Sequence, residues 1–212
     1  MPAPVGRRAG GMDDFEKEGA TMKKGLILAL ALVLCLTAFA CEGGKTTGEE
    51  PKVYNTVADY SGIQGYRNWY YLTARDTLTE AQPMIWDDVM CTWRMNDINC
   101  LIEPHIVHPG QLDQVIRAWK APKDGKIAFT SQLQRRPVNP NGVGQDGCEV
   151  YVAKTDDDYL FSQVYDALDL ELHEIGGETD MKAGEMIYFV LSCSGNYTFD
   201  QTYWEITIEY LP

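Results

Sequence analysis

The segment WEITIEY, 204 to 210, puts Trp204, Ile206, Ile208 and Tyr210 on one face of an extended chain and Glu205, Thr207 and Glu209 on the other. Successive side chains of a strand point to opposite faces, so this period of two describes an antiparallel strand with one face in a core and one in water. Further strands are predicted at Trp69 to Leu72, Gln114 to Lys120, Lys126 to Leu133, Glu149 to Lys154, Leu160 to Val164, Leu168 to His173 and Met186 to Cys193. No stretch holds a helical period for long, although Trp86 to Met95 and Gln111 to Arg117 have room for a turn or two. Turn chemistry separates the runs at 121–125, 139–144, 145–147, 176–177 and 182–184. Many short strands without linking helices predict a single all-β domain, an antiparallel, jelly-roll-like β-sandwich.

Ahead of the strands, Met22-Lys23-Lys24-Gly25 precedes the apolar run LILALALVLCLTAFA (26 to 40) and then Cys41. A positive start, an apolar stretch and a small residue before cysteine describe a secretory signal. The run of 15 residues falls short of the ~20 a spanning helix requires. Ala38-Phe39-Ala40-Cys41 resembles the lipobox of bacterial lipoproteins, with Phe39 bulkier than usual, and implies that Cys41 carries the lipid after cleavage. Lys17-Glu18-Gly19 can be encoded by a purine-rich ribosome-binding sequence, so residues 1–21 read as untranslated and 22–40 as the signal peptide. Residues 41–58 are small, polar and charged and read as a flexible lipid-attached tether, leaving 59–212 for the sandwich. The expected location is extracytoplasmic and membrane-anchored, at the cell surface or in the periplasm.

The chain carries 18 Lys and Arg against 31 Asp and Glu. Such a balance repels nucleic acid and anionic lipid while leaving neutral glycans and cations open as partners. Secretion makes disulfides the expected state of the cysteines beyond the signal segment. Cys148 shares a face with Val150 and Val152, and Cys193 with Ile187, Phe189 and Leu191, so both should face the core from neighbouring or facing strands. Cys91 and Cys100 bound a segment, CTWRMNDINC, that reads as a loop. The expected bridges are therefore Cys91 with Cys100 and Cys148 with Cys193.

No nucleophile with a base, phosphate loop or metal cluster emerges: there is no CxxC pair, and the three His are scattered. Catalytic and metal residues are accordingly predicted to be none. Asp156-Asp157-Asp158 lacks the alternating spacing of a calcium loop and reads as a solvated hairpin tip. Asn196 and Asp200 could either cap the final turn or help hold a structural calcium; no other cofactor is implied.

Four segments, in this order, resemble an all-β module of bacterial secreted and surface proteins: SGIQGYRNWYY (61 to 71), HPGQLDQVIRAWKAPKDGKI (108 to 127), GQDGCEVYV (144 to 152) and MKAGEMIYFVLSCSGNYTFDQTYWEITI (181 to 208). Relatives are expected to show FSxxQGxxxWxY, HP followed by AVRRWxAPxxGxVxI, GGDGVxVxI and xxGDxIxFxVxxxGNxxxDTTxWxPxI. The likeness spans roughly residues 60 to 210 and implies a jelly-roll-like sandwich akin to carbohydrate-binding modules. Cys148 and Cys193 stand where that family carries aliphatic or small residues, which fits a local disulfide. Glu205 replaces the usual Asp, and Ile206 stands where Pro is common.

Aromatic rings bind sugars by stacking on the apolar face of a pyranose, while amides, carboxylates and Arg bond its hydroxyls. The strand period and the WxY spacing send Trp69 and Tyr71 to the core, leaving Asn68 and Tyr70 on the face available to a ligand. Trp93 and Arg94, inside the expected Cys91–Cys100 loop, and His108, before Pro109, complete the candidate set. Arg117 shares a face with Val115 and Trp119, so it either snorkels past Trp119 or pairs with a carboxylate, of which the ion pair is the expectation. The function so implied is non-catalytic binding of carbohydrate or cell-wall polysaccharide near a membrane. The alternative is a structural or protein-interaction module without a glycan site; a third and less favoured reading is a glycan hydrolase or lyase, which a cleft with two converging carboxylates would indicate.

Overall fold

The computed structural model describes residues 52–95, 99–136 and 146–212, so Cys41, the signal segment and most of the expected tether lie outside the described residues, as does the 139–144 turn. In chain order the strands are β1 (Val53–Asn55), β2 (Trp69–Ala74), β3 (Gln82–Pro83), β4 (Ile85–Asp87), β5 (Thr92–Arg94), β6 (Leu101–Ile102) and β7 (Ile106–His108). They continue as β8 (Gln114–Lys120), β9 (Gly125–Arg135), β10 (Cys148–Thr155), β11 (Asp158–Tyr165), β12 (His173–Met181), β13 (Met186–Cys193) and β14 (Thr202–Tyr210). One sheet runs β12-β9-β14-β7-β6-β5-β4, with β1 also on β14; the other runs β11-β10-β13-β8-β2-β3. Every pairing is antiparallel, and the architecture is the predicted all-β, jelly-roll-like sandwich.

Alternation builds the core. Trp204, Ile206, Ile208 and Tyr210 of β14, with Ile127, Phe129 and Leu133 of β9, face Trp69, Tyr71, Trp119, Ile187, Phe189, Leu191, Val150 and Val152 of the second sheet. Both expected core aromatics of β2 are there. The second sheet also buries part of its outer face, because VIRAW and IYFVL place apolar residues at both parities. On that side Ile116, Ala118, Tyr151, Ala153 and Val190 form a separate cluster with Leu78, and Tyr70 packs half-buried against it. The segment after β2 is tied over this face by the Leu78 N–H, which donates to Asp156 Oδ1 at 2.6 Å.

Strands β8 and β13 occupy their predicted bounds, but several expectations need correction. Leu168 to His173 is not a strand; Leu168 and Leu172 are exposed, and the strand runs over His173–Met181. Gly176-Gly177 is no turn but lies inside β12, where a Cβ on Gly177 would come within 2.7 Å of the Phe129 ring. The ring occupies the space that any larger residue would need. Trp86 to Met95 holds the β4–β5 hairpin, its strands joined by a turn at 88–91, and Gln111 to Arg117 runs from a bend at 111–112 into β8.

The folded part also starts before residue 59. Strand β1 pairs with β14, Tyr54 is in the core, and the Thr56 N–H donates to Ile206 O at 3.0 Å.

No disulfide joins any of the four described cysteines, so neither expected bridge is formed. Cys148 and Cys193 do stand directly opposite in the β10–β13 register. Cys91 and Cys100 do not meet. Arg94 pairs with Leu101 and the Met95 N–H donates to Cys100 O, which puts Cys100 across from residue 95. Four residues of extended chain, ~13 Å, therefore separate Cys91 from that position, well beyond the reach of a disulfide.

Candidate functional site

The outer face of the larger sheet carries the outward residues of β12, β9 and β14. Register fixes them in rows: Glu174, Gln132 and Glu205 share one, and Gly176, Thr130, Thr207 and Asn55 the next. Gln134 and Tyr203 form a row on the other side. With strands about 4.8 Å apart, the backbones of Glu174 and Glu205 stand about 10 Å apart on either side of Gln132. Small side chains at Gly176, Thr130 and Thr207 leave the floor low between them. The result is a cavity of about 520 Å³ lined by all of these except Asn55, Gln134 and Tyr203. A second cavity of about 180 Å³, lined by His105, Gln134, Leu172 and Tyr203, shares Gln132 and Glu205 with the first, so the two form one trough.

One wall is pre-set by β1. Asn55 Nδ2 donates to Glu205 Oε1 and to Thr207 Oγ1, each at 2.9 Å. Its Oδ1 accepts the Val57 and Ala58 N–H groups, which fixes which way the amide faces. Asp59 accepts the Asn55 N–H through Oδ2 and pairs with Arg67 through Oδ1. Residues assigned to the tether thus orient a trough carboxylate.

Beneath this wall lies Arg117, fully buried. Its guanidinium donates to the carbonyls of Trp204, Glu103 and Pro104 and to no carboxylate, which corrects the expected ion pair. Burial lowers its pKa to about 10, opposed by Tyr71, Tyr60 and Glu205. Arg117 thereby joins β8 of one sheet to β14 and the β6–β7 turn of the other.

The residues expected at a ligand site are scattered, and none lines the trough. Trp93 does not stand outward: it is buried, stacked on Tyr71 with ring centroids 5.1 Å apart, and its Nε1–H donates to Ser61 O. Arg94 is spent on Thr92 and Asp87. Asn68 lies in the turn before β2 with φ 67°, and Tyr70 belongs to the outer cluster of the second sheet. His108 Nδ1 lies 2.7 Å from Pro109 O, with its ring edge-on to Tyr197.

The oxygens proposed for calcium do not fit one. Asp200 is buried and paired with Arg135 at 2.9 Å, whose charge would repel a cation, and Asn196 Oδ1 accepts the Thr198 N–H. Among the described residues no three His, Cys, Asp or Glu side chains converge on a metal position.

The trough residues went unread because they come from positions 132, 174 and 205, which sequence does not join. A signal was present in the alternation of β9, whose outward positions Thr130, Gln132 and Gln134 are uncharged hydrogen-bonding groups where a merely solvated face favours Lys or Glu.

No protein-family profile matches the chain. No curated protein matches it either. Among solved structures it is similar to the BiXyn10A CBM1 module, with 9% identity over 76% of this chain and 100% of that one and a TM-score of 0.37. It is also similar to a family 35 carbohydrate-binding module from Clostridium thermocellum, at 8% identity over 65% of this chain and 90% of that one, TM-score 0.31. Pika GITRL is similar at 13% identity over 67% of this chain and 96% of that one, TM-score 0.32. These likenesses select no function.

Proposed function

We propose that this chain is a non-catalytic, lipid-anchored extracytoplasmic module that binds carbohydrate or cell-wall polysaccharide in the trough of the larger sheet. The observation that carries this reading is the continuity of the two cavities through Gln132 and Glu205, with amide, hydroxyl and carboxylate groups along the length and the half-exposed ring of Tyr203 at one end. Sugars need this combination: polar groups for hydroxyls and a ring face for stacking.

Retention on insoluble glycans and purified wall tests the assignment. Gln132→Ala and Glu205→Ala should each weaken retention by ~10-fold or more, the scale of one lost hydrogen bond to a charged or sugar-facing group, while Leu112→Ala, on an exposed surface, should not. Unchanged retention in both trough variants would remove the site. For the anchor, Cys41→Ser should move the protein out of the membrane fraction; a variant that stays there without detergent removes the lipid.

A second reading, a protein-interaction module, is favoured by the β4–β5 hairpin, where Ile85, Val89 and Met90 are exposed, Val89 at 89%. Absence of retention on every polymer would transfer the function to that hairpin.

A further inference from the structure

The trough has an electrostatic character that narrows its ligand. Its facing walls carry Glu174 and Glu205, and among the described residues neither forms an ion pair with a cation. Among the residues that line the larger cavity no cation compensates them; the smaller cavity is lined by His105 and by Tyr203, whose ring carries the Arg136 guanidinium. Lys126 is engaged by Glu178, farther along β9, and Arg136 lies over the Tyr203 ring with Nη1 donating to Gln201. Arg117 is within electrostatic reach of Glu205 but sits on the core side of the sheet, bonded to carbonyls, where no ligand can touch it. The groups between the walls, Gln132, Thr130 and Thr207, are neutral and bond hydroxyls.

A sugar entering this trough therefore meets negative charge on both sides and neutral donors and acceptors beneath. Uronate or sulfate groups would be repelled at close range, where solvent screening is weakest. An ammonium substituent would be attracted by either wall, and would add a charge-assisted hydrogen bond to Glu174 and one to Glu205 beside that which Glu205 Oε1 accepts from Asn55.

Building on the proposal that the trough binds carbohydrate, we propose that it selects amine-bearing polysaccharide, a polymer of 2-amino sugars with free amines. Glu174 and Glu205 take the ammonium groups, and Gln132, Thr130 and Thr207 take the hydroxyls.

Three β-1,4-linked hexasaccharides that differ only at C2 separate the possibilities: the glucosamine hexamer with its amines protonated, its N-acetylated counterpart, and cellohexaose. Calorimetric titration of the full chain should show the amine form binding at least 10-fold tighter than either neutral form. The advantage should shrink with added salt. Glu174→Gln with Glu205→Gln should bring the three ligands to parity.

Because the chain is acidic throughout, the control is Asp76→Asn with Glu80→Gln, which removes equal charge from exposed positions after β2 and should leave the preference intact. Equal or tighter binding of a neutral hexamer overturns the amine selection. So does a preference that survives in the trough double variant or vanishes in the control. In any of these cases neutral binding that is lost in Gln132→Ala preserves the carbohydrate site. Failure of all three hexamers to bind removes the site and the selectivity together.

Discussion

Asp200 has no contact with solvent, and only one of its oxygens has a partner: Oδ1 accepts from Arg135, while Oδ2 meets no donor among the described residues. Burial raises its pKa to about 7, outweighing the opposing pull of Arg135. An unfolded aspartate titrates near ~3.9, so between about pH 4 and about pH 7 the folded chain holds a proton that the unfolded chain has released. The contribution of this group to stability is therefore complete below about pH 4 and is lost as pH rises through about 7. Urea midpoints measured across that window should fall with rising pH. Asp200→Asn, which keeps an acceptor for Arg135 but cannot titrate, should flatten this component; an unaltered slope would show that another group carries it. Sequence pointed to this residue only as a turn cap or cation ligand, since its partner lies 65 positions away. Trp93 was misread for a related reason. Three residues of β5 are too few to display a period, whereas in β2 and β14 the alternation runs long enough to send Trp69, Tyr71, Trp204 and Tyr210 to the core, where the structure has them.

At the scale of elements, what sequence shows depends on length and on which faces are covered. Strands β8 and β13 were legible to the residue because apolar runs bounded by Gly, Pro and Asp have few other solutions. β4 to β7, of two or three residues each, carry too little pattern, and β12 was hidden by the diglycine that admits Phe129. The thiols sit between these cases. Parity sent Cys148 and Cys193 to the core from neighbouring or facing strands, and the register makes them direct cross-strand partners. Such partners have Cβ atoms ~4.5–5.5 Å apart, a small shift from disulfide geometry. Treatment with oxidised glutathione should therefore link Cys148 to Cys193, closing a loop that adds up to ~4 kcal/mol on the chain-entropy model. Burial pushes Cys148 up to about 12, so the reaction should be slow at neutral pH and faster in alkali. Peptide mapping that finds Cys91 joined to Cys100 would contradict the register of β5 and β6.

On the scale of the whole molecule, the sandwich closes only with residues that look like linker. Tyr54 fills the core against Trp119, ring centroids 5.0 Å apart, with the Arg67 guanidinium on its ring. Thr56 exchanges hydrogen bonds with Ile206, its N–H donating to the Ile206 carbonyl and its Oγ1 accepting the Ile206 N–H. Composition could not reveal this, because a three-residue edge strand among Lys, Glu and Thr has no period to detect; its partner β14 supplies the order. Fold class and acidic balance were legible because they follow from local alternation and from counting. Sheet order and the trough were not, since both arise from strands that meet only in three dimensions. The boundary has a measurable consequence. A chain starting at residue 59 lacks Tyr54, and losing a buried aromatic costs ~3–5 kcal/mol, so it should unfold at a markedly lower urea concentration than one starting at residue 52. It also lacks Asn55, which orients Glu205, and should bind trough ligands more weakly even where it remains folded. A truncated chain with the same midpoint as the longer one would return residues 53 to 58 to the tether. Asn55→Ala in the longer chain separates the two effects, since it keeps Tyr54 in the core while releasing the carboxylate, and should weaken glycan retention more than it lowers stability.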